Sequence, residues 1–324
     1  MKLMLAVLLM FSSSAWCFDA GRASFAVRVN DIVVPYDIFA VLVLPGEKLN
    51  LAIVDPGDER FLLETPTETK PGGHWTLPGF QEPGVRQLIV RSAVDQIQLN
   101  VLVMHPGETV QNGKLGSYDV GRYPATPLRG NPIYAPPRGF VELNAETESI
   151  RLSPHFTLGQ FPCKQTEVYP KYLVVREQLI LKLELLLEEV NAQGIAADTF
   201  FIMSGFRTPH YNKALGNVPY SRHVYGGAAD FYVDVNPLDG QMDDLDGNGT
   251  IDHGDAQFLY RLADRLFAEE PNVWLTGGQG VYRRNEAHGP FLHIDARGEK
   301  ARWGLVPTSA PASSARVSAV ARDG

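Results

Sequence analysis

The run Ser221-Arg-His-Val-Tyr-Gly-Gly-Ala-Ala-Asp230 sets His223 seven residues ahead of Asp230, and His293-Ile-Asp295 repeats the His/Asp pairing downstream. Two imidazoles and a carboxylate, each on a short apolar segment, suit a catalytic zinc ion. Zinc takes nitrogen and oxygen donors, and a hydrolytic site uses three protein ligands with a fourth position left to water. Water bound there ionises near neutral pH and becomes a nucleophile.

These residues need strands to position them. Ala228-Ala-Asp-Phe-Tyr-Val233 has the apolar, branched and aromatic character of a strand, and its alternation puts Ala228, Asp230 and Tyr232 on one face. Gly226 and Gly227 allow a turn that folds His223 back toward Asp230. On Phe291 to Asp295, His293 and Asp295 also share a face. If the two strands pair, all three side chains look onto one patch. Small residues at Ala228 and Ala229 leave room for a ligand.

The segment from Ser204 to Trp303 resembles the zinc D-alanyl-D-alanine peptidases of bacterial cell walls, which share a fold with the signalling domain of hedgehog proteins. Ser221, His223, Gly226, Ala228 and Asp230 match that family's Ser-x-His-x-x-Gly-x-Ala-x-Asp pattern, and His293 fits its distant last ligand. Ser204-Gly-Phe-Arg-Thr-Pro209 with Asn212 resembles its Ser-Gly-Tyr-Arg-Ser motif. Gly277 to Tyr282, Phe291-Leu-His-Ile-Asp295, Arg302-Trp303 and Leu152-Ser-Pro-His-Phe156 are similar to the periplasmic murein endopeptidase subgroup. The likeness covers roughly 150 to 304 and leaves out the N-terminal half.

The resemblance implies that His223, Asp230 and His293 bind zinc. It implies that Arg207 holds a substrate carboxylate, which suits its planar fork of donors, and that Ser221 hydrogen-bonds substrate near the metal. One departure stands out. Many relatives place an acidic general base three residues before the last histidine, where this chain has Pro290. Asp295, His288 and Glu286 are the nearest ionisable groups. The strand period favours Asp295 as the base; orientation of a zinc-bound imidazole is its other reading. His288 stands where some relatives keep a histidine that steadies the oxyanion.

Asp244-Leu-Asp246-Gly-Asn248-Gly249-Thr250-Ile251-Asp252-His-Gly-Asp255 fits a twelve-residue calcium loop. Asp244, Asp246, Asn248, Asp252 and Asp255 fall at oxygen-ligand positions, Thr250 offers its carbonyl, and Gly249 takes the sharp turn. The stretch before it, Val235 to Gly240, does not read as a helix, and an aspartate stands last where glutamate is usual.

The rest of the chain frames these sites. Lys2, the apolar run Leu3 to Phe11 and Ser12-Ser-Ser-Ala15 form a secretory leader over 1–17, implying a secreted, periplasmic protein. No later stretch is apolar and long enough to cross a membrane. A net charge of −8 argues against nucleic acid as a partner. Only two cysteines exist, Cys17 and Cys163, and whether they pair depends on where the leader is cut.

Short β-branched runs with Pro-Gly turns make 22–105 an all-β sandwich, loosely similar to bacterial immunoglobulin-like modules. Residues 106–150 read as a surface connector, with a strand around Arg138 to Leu143. Residues 151–304 read as an α+β zinc domain, and 305–324 as a disordered tail. The strongest helical period lies in 167–193, with Leu173, Leu179, Leu183, Leu186, Leu187 and Val190 in phase and Gly194 as terminator. The function this suggests is a zinc peptidase acting on peptidoglycan stem peptides or cross-links, with endopeptidase favoured over carboxypeptidase. Pro290 keeps a second reading open, a non-catalytic zinc- or calcium-containing wall-binding module.

Overall fold

The computed structural model describes residues 17–305. The expected leader (1–17) and tail (305–324) fall almost wholly outside them.

Residues 22–103 form strands only: β1 (Arg22–Val29), β2 (Ile32–Tyr36), β3 (Ile38–Val43), β4 (Leu49–Val54), β5 (Leu62–Glu64), β6 (Thr69–Pro71), β7 (His74–Leu77), β8 (Gly84–Arg91) and β9 (Gln96–Val103). They make two sheets, ordered β2-β1-β4-β7 and β3-β9-β8-β5-β6. Alternate residues point inward, so Leu49, Leu51 and Ile53 of β4 and Ile97, Leu99, Val101 and Val103 of β9 are buried. β3 and β9 run parallel. The strands β5, β6 and β7 lack the long apolar runs that mark their neighbours.

The connector is less superficial than its Pro/Gly-rich composition implies. It carries β10 (His105–Pro106), β11 (Lys114–Leu115), β12 (Tyr118–Asp119) and β13 (Gly139–Leu143), and β13 pairs with both β10 and β14 (Lys171–Leu173). Tyr118, Val120, Tyr134, Phe140, Val141 and Leu143 are buried. The β14 pairing also corrects the expected helix. Leu173 fits the helical period but lies opposite Val141 in a strand, and α1 begins only at Glu177 (Glu177–Ala192). Pro170 and the branched pair Val174-Val175 favour extended backbone there. At the other end Gly194, at φ +86°, terminates the helix as expected.

The remaining elements are α2 (Pro209–Ala214), α3 (His253–Leu266) and a five-stranded sheet. That sheet contains β15 (Phe201–Ser204), β16 (Ala228–Tyr232), β17 (Gly278–Tyr282), β18 (Phe291–Asp295) and β19 (Ala301–Trp303), in the order β15-β16-β18-β17-β19. One face buries Ala229, Phe231, Leu292 and Ile294; α3 packs on β17 and β18, with α1 against α3. The whole is an α+β protein.

Two acids of α1 tie the two regions together directly, and a third does so through His155. Glu177 accepts from the backbone N–H of Leu42 at 3.0 Å. Glu188 accepts from the Tyr36 hydroxyl at 2.8 Å and from Arg22 Nε at 3.0 Å. Glu184, wholly buried, accepts from the His155 N–H at 2.9 Å and meets His155 Nδ1 at 2.8 Å. The other nitrogen of that ring reaches the carbonyl of Asp19 at 3.0 Å. Cys17 and Cys163 are separate free thiols.

Candidate metal centre

On the face of the sheet away from the helices, the register aligns one row. Ser204 pairs with Asp230, Asp230 with His293, His293 with Gly280, and Gly280 with Trp303. His223 joins this row from a 3-10 turn, Arg222–Tyr225. That turn closes through Gly226 at φ +64°, where a Cβ would stand 2.3 Å from the Val174 carbonyl oxygen. No side chain fits there, so glycine is required on both conformational and steric grounds.

Three donor atoms converge. His223 Nε2 lies 3.2 Å from Asp230 Oδ1, His293 Nδ1 lies 2.7 Å from the same oxygen, and the two ring nitrogens are 3.2 Å apart. Tetrahedral zinc with bonds of about 2.0 Å needs donors roughly 3.3 Å apart, so the triangle needs only slight widening. The opposite ring nitrogens are already engaged. His223 Nδ1 faces the Gly205 carbonyl at 2.7 Å, and His293 Nε2 faces Asp295 Oδ2 at 3.4 Å. This arrangement fixes each ring with one lone pair aimed inward, as metal-binding histidines require. The group fits a metal ion.

The electrostatics agree. Burial pushes the His223 imidazole pKa down, favouring the neutral form that can donate a lone pair. Burial opposes ionisation of Asp230, yet the two histidines beside it hold its carboxyl well below the usual range. Burial would also lower His293, but Asp230 and Asp295 on either side raise it. A pocket with two carboxylates around one imidazole is a place for positive charge, as a proton or as a cation.

The other expected site residues take different places. Asp295 does not face the donor triangle; it stands behind His293. It accepts from Gly278 N–H at 2.9 Å and Arg297 N–H at 3.0 Å, and Arg297 NH2 grips it at 2.6 Å. It is fully buried, and although desolvation opposes this, His293 and Arg297 hold its pKa far below the ordinary value. So gripped, it is a poor proton acceptor and a good orienter of His293. The alternation along β18 correctly put His293 and Asp295 on one face but could not tell which ring nitrogen each partner would meet.

Arg207 donates from NH2 to Asp230 Oδ2 at 2.5 Å and from Nε to Ser204 Oγ at 2.8 Å, so it braces the metal-side carboxylate. Ser221 precedes the His223 turn and its hydroxyl caps no backbone donor. His288 is not drawn into the triangle. Its nitrogens meet the Gly289 carbonyl at 2.8 Å and Asn285 Nδ2 at 2.9 Å within its own loop, and its ring stands edge-on to Phe291.

In the acidic loop, carboxylates of Asp244, Asp246 and Asp255 come within 4.8 Å of one another. Asp244 accepts from the N–H groups of Gly247, Asn248 and Gly249, and Asn248 from Thr250 N–H. Asp252 caps α3, and Asp255 accepts from the N–H groups of Leu245, Asp246 and Asp252.

Two contributors had no role assigned to them from the sequence. Trp303 lies across Gly280, where a Cβ would meet the indole at 2.0 Å, and its ring stands 5.2 Å from His293. Its Nε1 donates to the Tyr282 hydroxyl at 3.0 Å. A Cβ on Gly278 would likewise sit 2.3 Å from Asp295 Oδ2. The clue was present: glycines two apart in a strand leave one face bare for something to approach. Lys182 was also unforeseen. It is wholly buried and donates to the Asp295 carbonyl at 2.8 Å.

Residues 154–241 match the family model described as Peptidase M15. That stretch of the chain is similar to the M15 peptidases. The match takes in His223 and Asp230 and ends before His293, which the sheet register brings beside them. M15 peptidases are zinc-dependent, and the His/Asp/His group suits that metal. No curated protein matches the chain. Among the described residues, no helix is long and apolar enough to cross a membrane.

Proposed function

We propose that the chain is a zinc-dependent murein peptidase that hydrolyses amide bonds in peptidoglycan stem peptides or cross-links, as an endopeptidase rather than a D-Ala-D-Ala carboxypeptidase. The observation that carries this reading is the buried triangle of His223, Asp230 and His293, two of whose members lie in the stretch that resembles the M15 peptidases. In this reading residues 151–304 are a hedgehog/D-Ala-D-Ala-peptidase-like domain, 22–105 an immunoglobulin-like module and 106–150 the link, in a protein secreted to the periplasm.

Bound zinc supplies a Lewis acid and an acidified water. The protein does the rest. Gly205 and Asp295 hold the two imidazoles in register. Arg207 braces Asp230, and its fork can turn to a substrate carboxylate. The Ser221 hydroxyl is free to meet the peptide. The proton role falls to His288, once Asn285 releases it, because Asp295 is gripped by Arg297. The loop Asp244, Asp246, Asn248, Thr250, Asp252, Asp255 takes calcium as a structural ion in this reading, and a calcium-dependent rise in melting temperature tests it.

Asp295 behind His293 and Pro290 before it favour a second reading, a non-catalytic zinc-containing wall-binding module. Digestion of purified peptidoglycan by the zinc-loaded protein, with a His223→Ala control and mass spectrometry of products, separates the two. Loss of cross-linked dimers marks an endopeptidase, and loss of terminal D-alanine alone a carboxypeptidase. Stoichiometric zinc with no product leaves the binding module.

A further inference from the structure

The metal-site row has an aromatic neighbour. Tyr232 and Phe291 each lie two residues from a metal-site side chain, Asp230 and His293, on the same face. Phe201 faces Tyr232 across β15 and β16, and Tyr282 faces Phe291 across β17 and β18. Both pairs stack, at 4.8 Å and 14° and at 4.4 Å and 7°. At one end of this face, Phe201 remains 41% exposed on an edge strand, since β15 pairs only with β16.

Along that free edge runs a cleft of about 590 Å³, lined by Phe201, Ile202, Leu238, Lys164, Lys171 and Asp234 among others. Leu238 is 80% exposed over it. Most of its charges are committed. Lys171 pairs with Glu167 at 3.2 Å, and Asp234 accepts from the N–H groups of Asp239 and Gly240. Lys164 makes no ion pair among the described residues, and the exposed carboxylate of Glu167, already paired with Lys171, acts on it only at a distance. The cleft thus offers an unpaired strand edge, apolar side chains and one uncommitted cation. An extended peptide bearing a carboxylate uses all three, pairing its main chain with β15.

Strands stack about 4.8 Å apart, so a strand added to β15 beside Phe201 lies roughly 10 Å from Tyr232 and, with the offset of two residues along β16, roughly 12 Å from Asp230. About four extended residues span that gap. We propose that this cleft holds the second arm of a branched, carboxylate-bearing peptide whose cleavable amide sits at the metal centre. The inference rests on the peptidase reading and sharpens it: the site is built for substrates that continue past the cleaved bond.

The test compares wild type with Lys164→Glu and, separately, Leu238→Asp, on a cross-linked muropeptide dimer and on a short acylated tripeptide ending in D-Ala-D-Ala. Each variant should raise KM for the dimer about tenfold and leave kcat/KM for the tripeptide within about twofold. Equal losses on both substrates, or no change on the dimer, overturn the proposal. If wild type cleaves neither substrate, the peptidase reading fails, and calorimetric titration of the same dimer decides the cleft. Binding that weakens in Lys164→Glu sustains it; absent or unaltered binding refutes it.

Discussion

At the scale of single residues, the candidate metal centre is a carboxylate between two rings whose outer nitrogens are held so that the inner ones converge. Asp295 holds His293, so Asp295→Asn should retain the fold while metal affinity or turnover falls about 10- to 100-fold. Metal analysis and turnover on one sample check this, and unchanged values would remove Asp295 from the machinery. Gly280→Ala drives a methyl into the Trp303 indole, at a cost of about 1–3 kcal/mol in a denaturant melt. Lys182 gives a pH signature. Burial pulls its amine from 10.5 down to about 7. Between those values the unfolded chain binds a proton that the folded chain does not, so this group makes stability rise with pH across that window. It therefore lowers stability as pH drops toward 7, and Lys182→Met should flatten the slope of stability against pH relative to wild type. The convergence of His223, Asp230 and His293 was legible in the sequence, because strand alternation and a glycine turn dictate where these side chains can point. The partners of Asp295 and Arg207 were not. Alternation gives a face, whereas choosing between two ring nitrogens or two carboxylates depends on distances that only the packed sheet sets.

At the scale of elements, the turn carrying His223 depends on Gly226. Gly226→Ala combines a left-handed backbone with a methyl against the Val174 carbonyl. It should destabilise by about 1–3 kcal/mol and displace His223. A melt together with zinc content would reveal it, and normal zinc retention would show that the turn can relax. The long apolar period of α1 was readable along most of its length. It misled over 167–176, where Leu173 keeps the helical phase but is drawn into a strand by Val141, a partner far off in sequence that outweighs local phase. The same limit hid β5, β6 and β7, whose few apolar residues gain their place from neighbours already paired.

At the scale of the whole molecule, the two-sheet region of 22–103 and the region that carries the His/Asp/His group share one continuous core as well as the acids of α1. Calorimetry should therefore show one cooperative transition; two separated transitions would mean that the regions fold independently. This coupling was not legible. Glu177, Glu184 and Glu188 read as the polar side of an amphipathic helix, and nothing local says that a neighbour, not water, will cover them. Their position has a consequence for descent. A recombination event that joined the region from 151 onward to a different leading module would strand Glu177 and Glu188, whose donors Leu42, Tyr36 and Arg22 lie in the first half, against surfaces without matching donors. The two halves must then be inherited together, and any lineage that exchanged the first half would have had to rewrite α1 as well.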